Sequence, residues 1–241
     1  MKTFNKDLLK VNIYETRAEM GSAAARDIKE RILALLETKE TINMIFAAAP
    51  SQNEVLASLA YDRELPWNRV NAFHMDEYIG LSADAPQGFG NFLRDHIFGL
   101  APFASVNYID ITAPDAEAEC ERYSALLAKY PTDIVVMGIG ENGHIAFNDP
   151  PADFEDTRAY KVVTLDDRCL RQQVGEGWFK SVEETYKQAF SMTCPQIMKC
   201  KTIISVVPYK VKAEAIYKTL TREITPEVPA TLMKQHTDCT V

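Results

Sequence analysis

No two cysteines in this chain stand at C-x-x-C spacing. The five (Cys120, Cys169, Cys194, Cys200 and Cys239) are odd in number and scattered. That excludes a zinc ribbon or finger and leaves no disulfide framework, so they read as reduced thiols of a cytoplasmic protein. Positive charge is also short: 26 Lys and Arg stand against 34 Asp and Glu, a net charge of -8. A nucleic-acid partner needs a basic face and is therefore not expected. A small anionic ligand needs only a local cationic pocket and stays open. Met1–Asp7 has no apolar segment of the signal-peptide kind. No uninterrupted apolar run approaches the roughly 18 residues of a membrane span. There is no internal repeat, low-complexity tract or linker.

At 241 residues, with 46% hydrophobic and 25% charged residues, the composition is that of an ordinary globular protein. Short apolar runs alternate with helical periodicity. Strands are expected at Val11–Tyr14, Ile42–Ala49, Val70–Phe73, Asn107–Ile111, Asp133–Met137, Tyr160–Thr164, Ala189–Thr193 and Thr202–Val207, with Cys239–Val241 beginning a last one. Helices are expected from Thr16 to about Leu36, then after Ser51, over Gly88–Phe98 and Pro114–Lys129, from after Asp166-Asp167-Arg168 to Val174 with a turn at Gly175–Phe179, over Pro195–Lys199, from Pro208 to Leu220, and over Pro229–Lys234. The alternation predicts one α/β domain over residues 1–241. Its sheet is mainly parallel and doubly wound, Rossmann-like, with helices on both faces.

The chemistry gathers at expected strand ends, where open α/β sheets bind ligands. Val135–Pro150 reads VVMGIGENGHIAFNDP. A buried strand breaks at Gly138 and Gly140 and then presents Glu141, Asn142, His144 and Asp149. A histidine taken alone is more readily a hydrogen-bonded core residue, but among carboxylates it becomes a candidate for proton transfer. The letters of a dinucleotide fingerprint, Gly138-x-Gly140-x-x-Gly143, lead into an apolar run rather than a helix, which argues against that reading. Asp76 and Glu77 follow the strand Val70–Phe73. Apolar neighbours there would raise a carboxylate pKa, as suits a base. A metal at His74-x-Asp76-Glu77 is disfavoured because no second histidine has i, i+4 spacing.

Ser51, Gln52 and Asn53 follow the second strand in a loop of small residues able to turn backbone N–H groups toward an anion. Ser51 with Glu54 also reads as a capping box. Arg168 and Lys212 are cations near other strand ends and equally ordinary surface charges. The polar loop Pro150–Arg158 is a candidate lid.

Two segments, FHMDEYIGL at Phe73–Leu81 and GIGENGHIAFNDP at Gly138–Pro150, resemble the glucosamine-6-phosphate deaminase/isomerase family. That family carries similar MDEYVGL and GNDGHIAFNEP segments, and the 6-phosphogluconolactonases share its fold. The resemblance covers nearly the whole chain. It implies an enzyme, an aldose–ketose isomerase that also cleaves a C–N bond. Its substrate would be a hexosamine 6-phosphate, by default glucosamine 6-phosphate giving fructose 6-phosphate and ammonia. No cofactor or metal is expected, and a homo-oligomer is. Asp76 would move the proton between C2 and C1, and His144 would assist ring opening with Asp149 supporting it. Arg168, Lys212 and the Ser51-Gln52-Asn53 loop would hold the phosphate.

Three departures qualify the resemblance. Asn142 stands where the family has aspartate, so either Glu141 supplies the missing charge or ring opening works differently. The phosphate loop is AAAPSQNE rather than glycine- and threonine-rich. Pro151–Arg158 lacks the serines that bind the allosteric effector, which implies no activation by N-acetylglucosamine 6-phosphate. A lactonase, a galactosamine 6-phosphate isomerase and a non-catalytic sugar-phosphate sensor are the rival readings.

Overall fold

The structure is a computed structural model that describes residues 1–241. Strands β1 (Lys2–Lys6) and β2 (Leu9–Ile13) form an antiparallel hairpin closed at Lys6 and Leu9. Helix α1 (Arg17–Leu36) starts in a capping box in which Thr16 and Glu19 satisfy each other's backbone N–H. The order continues with β3 (Ile42–Phe46), α2 (Asn53–Ala60), β4 (Val70–His74), β5 (Asp76–Tyr78), α3 (Phe89–Leu93), β6 (Ser105–Asn107) and α4 (Ala116–Lys129). It closes with β7 (Ile134–Met137), β8 (Tyr160–Thr164), α5 (Asp167–Gly175), β9 (Gln188–Met192), α6 (Cys194–Met198), β10 (Thr202–Ser205), α7 (Ala213–Thr221) and β11 (Cys239–Thr240).

The main sheet runs β1-β2-β11-β10-β7-β3-β4-β6 and is parallel except at β1. Every residue of β3, β4, β7 and β10 is buried. That is the pattern of strands covered on both faces. Side chains alternate: Met44, Phe46, Ile134 and Val136 join α1 and α2 on one face. Ile45, Val135 and Met137 join α4 and α6 on the other. The expected α/β class, parallel sheet and two helical layers are therefore present. The short final strand is real: β11 pairs with β10 and β2, and the Val241 N–H donates to the Lys10 carbonyl.

Several expectations are corrected. The hairpin strand β1 has no counterpart in the sequence reading, because KTFNK is exposed and shows no apolar signal. Ala189–Thr193 does not join the main sheet. Its strand, β9, lies between β5 and β8 in a separate antiparallel sheet. The strand expected at Asn107–Ile111 ends at Asn107, since the Ile109 N–H donates to His74 Nε2 instead of a ladder carbonyl. Ser51 does not cap α2: Glu54 pairs with Arg17 of α1 at 2.7 Å, and Pro50–Gln52 is a 3₁₀ turn. The last helix, Pro229–Gln235, is also 3₁₀.

Candidate active site

In a parallel sheet, neighbouring strands end on the same edge. The loops after β3, β4, β7 and β10 therefore meet. They form a half-open cavity of about 60 Å³ lined by Ala47–Ala49 and Ser51 from the first loop and by Asp76 from the second. Gly138–Gly140 and His144 come from the third and Lys212 from the fourth, and Gln172, Gln173 and Glu176 of the α5 segment complete the lining.

Asp76 and His144 lie far apart in sequence, and β9 joins them. Asp76 pairs with Ser191 in the antiparallel ladder. The Ser191 hydroxyl accepts the Phe147 N–H at 3.0 Å, and Asn148 Nδ2 donates to the Met192 carbonyl at 2.7 Å. Both chemical segments are thus pinned to one strand. Gly140 is required where it stands, because a Cβ there would fall 2.2 Å from the His144 ring.

The histidine is held in one orientation. Its Nδ1 donates to Asp149 Oδ1 at 3.0 Å, which leaves Nε2 as the acceptor on the ring's other side. Asp149 also accepts Asn142 Nδ2 at 2.9 Å and the Asp166 N–H at 3.0 Å. Burial alone would push its pKa up. The bond and charge of His144, with the Asp166 N–H and the Asn142 amide, outweigh that and hold it below the usual carboxylate value.

Asp76 is pushed well above the ordinary aspartate value, first by burial and then by the charge of Glu77. Glu77 is pushed up to about 7 by burial, despite accepting the N–H groups of Tyr78, Phe89 and Gly90. His74 is a structural residue. Its Nδ1 donates to the Asp76 carbonyl at 3.1 Å while its Nε2 accepts the Ile109 N–H at 2.9 Å. Burial lowers its pKa to about 4. With both nitrogens engaged, His74 has no lone pair left for a metal.

Other residues singled out in the sequence stand elsewhere. Arg168 is exposed at the start of α5. It donates to the Glu141 carbonyl at 2.9 Å and lies 3.7 Å from Glu214, outside the cavity lining. The Glu141 carboxylate makes no hydrogen bond to His144; its backbone N–H donates to Gln172. Asn142 donates to Asp149 and, at 3.3 Å, to Asp166, and its oxygen accepts the His144 N–H. Gln52 is fully buried, with Nε2 held by Ser51 Oγ and the Val206 carbonyl. Asn53 is exposed on α2. Pro150–Arg158 does not line the cavity, and its buried Asp156 is tied down by Arg158 and Lys161. The Gly138–Gly143 run is followed by a turn and an Ile145–Asn148 bridge, not a helix.

Sequence reasoning missed Gln172, Gln173, Glu176 and Asp166. Gln173 accepts the Tyr78 hydroxyl at 2.5 Å, and Glu176 pairs with Lys212 at 3.0 Å. Their only signal was position after an expected strand, in a segment rich in ordinary polar residues.

A parallel α/β sheet with a histidine–carboxylate pair and a second buried carboxylate at its carboxyl edge defines a class of proton-transferring enzymes. Residues 15–241 match the family described as glucosamine-6-phosphate isomerases/6-phosphogluconolactonase, and the chain belongs to that family. It is 33% identical to the glucosamine-6-phosphate deaminase of Clostridium acetobutylicum, over 97% of this chain and 95% of that one. It is 34% identical to that of Listeria innocua, over 92% and 91%. A solved monomeric glucosamine-6-phosphate deaminase superposes with a TM-score of 0.87 at 30% identity, covering 96% of this chain and 95% of that one. The 6-phosphogluconolactonase of Thermotoga maritima shares the fold, with a TM-score of 0.78 at 20% identity, over 95% and 96%. No helix is long and apolar enough to cross a membrane.

Proposed function

We propose that this enzyme converts a hexosamine 6-phosphate, by default glucosamine 6-phosphate, to the ketose 6-phosphate with release of ammonia. The carrying observation is that Asp76, His144 and Lys212 line one cavity, with Asp149 behind the histidine. His144 Nε2 accepts the O1 proton of the pyranose and returns it to O5, opening the ring. Asp149 holds the tautomer that makes this possible and stabilises the imidazolium. Asp76, made more basic by burial, takes the C2 proton of the open aldehyde and delivers it to C1. The C2 enolamine thereby becomes a C2 imine. Water adds to the imine, and ammonia leaves as the C2 ketone forms. The sequence is redox-neutral. Lys212 holds the phosphoryl tail as a point charge, with Ser51 beside it.

Following ammonia and ketose formation from glucosamine and galactosamine 6-phosphates, beside hydrolysis of 6-phosphogluconolactone, tests the reading. Ketose and ammonia in equal amounts are expected. Lactone hydrolysis without ammonia release would overturn it.

A further inference from the structure

The Lys212 end of the cavity already holds an anion. Lys212 is 4% exposed and is the only cationic side chain on the lining. Its ammonium pairs with Glu176 Oε1 at 3.0 Å, and the same oxygen accepts Gln172 Nε2 at 2.8 Å. The Glu176 side chain is itself 15% exposed. The cavity that both side chains line measures about 60 Å³, room for a few waters and not for a hexose phosphate. A phosphoryl group brought to Lys212 would meet a carboxylate of the same sign at hydrogen-bond range. One anion must leave, and the Glu176 carboxylate, held besides Lys212 by Gln172 Nε2 and, at 3.4 Å, by Trp178 Nε1, is the one on a tether. It lies just past the end of α5, between Gly175 and Gly177, with Gly177 at φ +86 and open space around both glycines.

We propose that Glu176 is a tethered carboxylate occupying the seat of the substrate's phosphoryl group, and that it sets phosphate affinity by competing for Lys212. This rests on reading the Lys212 end of the cavity as the phosphate subsite. Glu176 is a specificity-setting residue and touches no reacting atom. Breaking the contact releases Lys212 and enlarges the cavity together. A ligand lacking an anionic group cannot take the seat, so the pocket stays shut against neutral sugars.

The test compares wild type, Glu176→Gln and Glu176→Asp in two ways. One is KM and kcat for glucosamine 6-phosphate. The other is stabilisation against heat by inorganic phosphate, which needs no turnover. In Glu176→Gln we expect KM and the phosphate dissociation constant to fall about tenfold, with the change in KM exceeding that in kcat. Glu176→Asp should stay near wild type. Phosphate binding in Glu176→Gln within threefold of wild type, or weaker, overturns the proposal. Should Glu176→Gln not fold, Glu176→Ser carries the same comparison. Wild type that turns over the sugar while Glu176→Gln binds phosphate no better refutes the competition alone. Wild type without turnover but with tighter phosphate binding in the variant refutes the proposed reaction alone.

Discussion

Asp149→Asn tests the proton-transfer network with a change of one atom. Three donors converge on the two oxygens of Asp149: His144 Nδ1, Asn142 Nδ2 and the Asp166 N–H. An amide offers one oxygen. If that oxygen takes the place of Oδ1, His144 keeps its tautomer, but the new NH₂ faces the Asp166 N–H. If the amide is reversed, the NH₂ faces His144 Nδ1 and forces the proton onto Nε2, so the ring can no longer accept a proton there. Either arrangement loses a hydrogen bond to a charged acceptor, worth about 1.5–3 kcal/mol. If the loss falls on the transition state, kcat/KM drops about 10- to 150-fold. The buried donor left unpaired costs about 1–3 kcal/mol of stability, or about 2–12 °C in melting temperature for a chain of this size. The Asp149 pKa is lowered in the folded protein. Its contribution is therefore fully present above the unfolded value, about 3.9, and is lost as pH falls through the lower folded one. The stability gap between wild type and variant should close on acidification below about pH 4. Ammonia release at pH 7.5 and thermal unfolding between pH 3 and 7 measure both quantities. A kcat/KM within threefold of wild type would refute the argument that Asp149 governs the His144 tautomer.

Asp76→Asn should abolish ammonia release while inorganic phosphate still stabilises the protein against heat; retained turnover would remove Asp76 from the proposed C2–C1 transfer. Glu77 has a folded-state pKa of about 7, above its unfolded value, so it stabilises the fold below the unfolded value and loses this as pH rises through 7. Chemical denaturation between pH 5 and 8 should show a decline to which Glu77 contributes on the order of 3 kcal/mol, beside that of the raised Asp76; Glu77→Gln should make the slope shallower, and an unchanged slope in the variant would contradict the assignment. Lys212→Gln should raise KM at least tenfold, whereas Arg168→Ala, altering an exposed side chain outside the cavity lining, should change KM less than twofold. The reverse ranking would place the phosphate at Arg168.

What was legible in the sequence was whatever repeats with a period or breaks it. Runs such as INMIF and IVVM announce strands buried on both faces, and Asp76 and His144 stand out because polar groups interrupt apolar sequence at their ends. The separate antiparallel sheet was not legible, because β9 has the same apolar character as a central strand and nothing local says which sheet it joins. Its Ser191, the residue that brings the two chemical segments together, looks like any small strand residue. The α5 part of the cavity lining is hard to read for a related reason. Proline and charge give Pro150–Arg158 the look of a lid, whereas residues that line the cavity come from the α5 segment, whose glutamines carry no charge or motif. Arg168 is a cation near a strand end, but it sits in the first turn of α5, and its side chain reaches the Glu141 carbonyl and Glu214.

The position of Asn142 follows from the charges around it. Its amide reaches Asp149 and Asp166, and its oxygen accepts the His144 N–H. An aspartate at 142 would put a third carboxylate into a half-buried network that already holds two, with His144 the one side chain there able to carry positive charge. Two like charges at such range disfavour each other's ionised forms. The neutral amide instead supplies a donor to both acids and leaves Asp149 free to stay ionised for the histidine. Asp166 in turn caps α5 through the Cys169 N–H, so the helix whose far end delivers Glu176 to Lys212 begins on the network that orients His144.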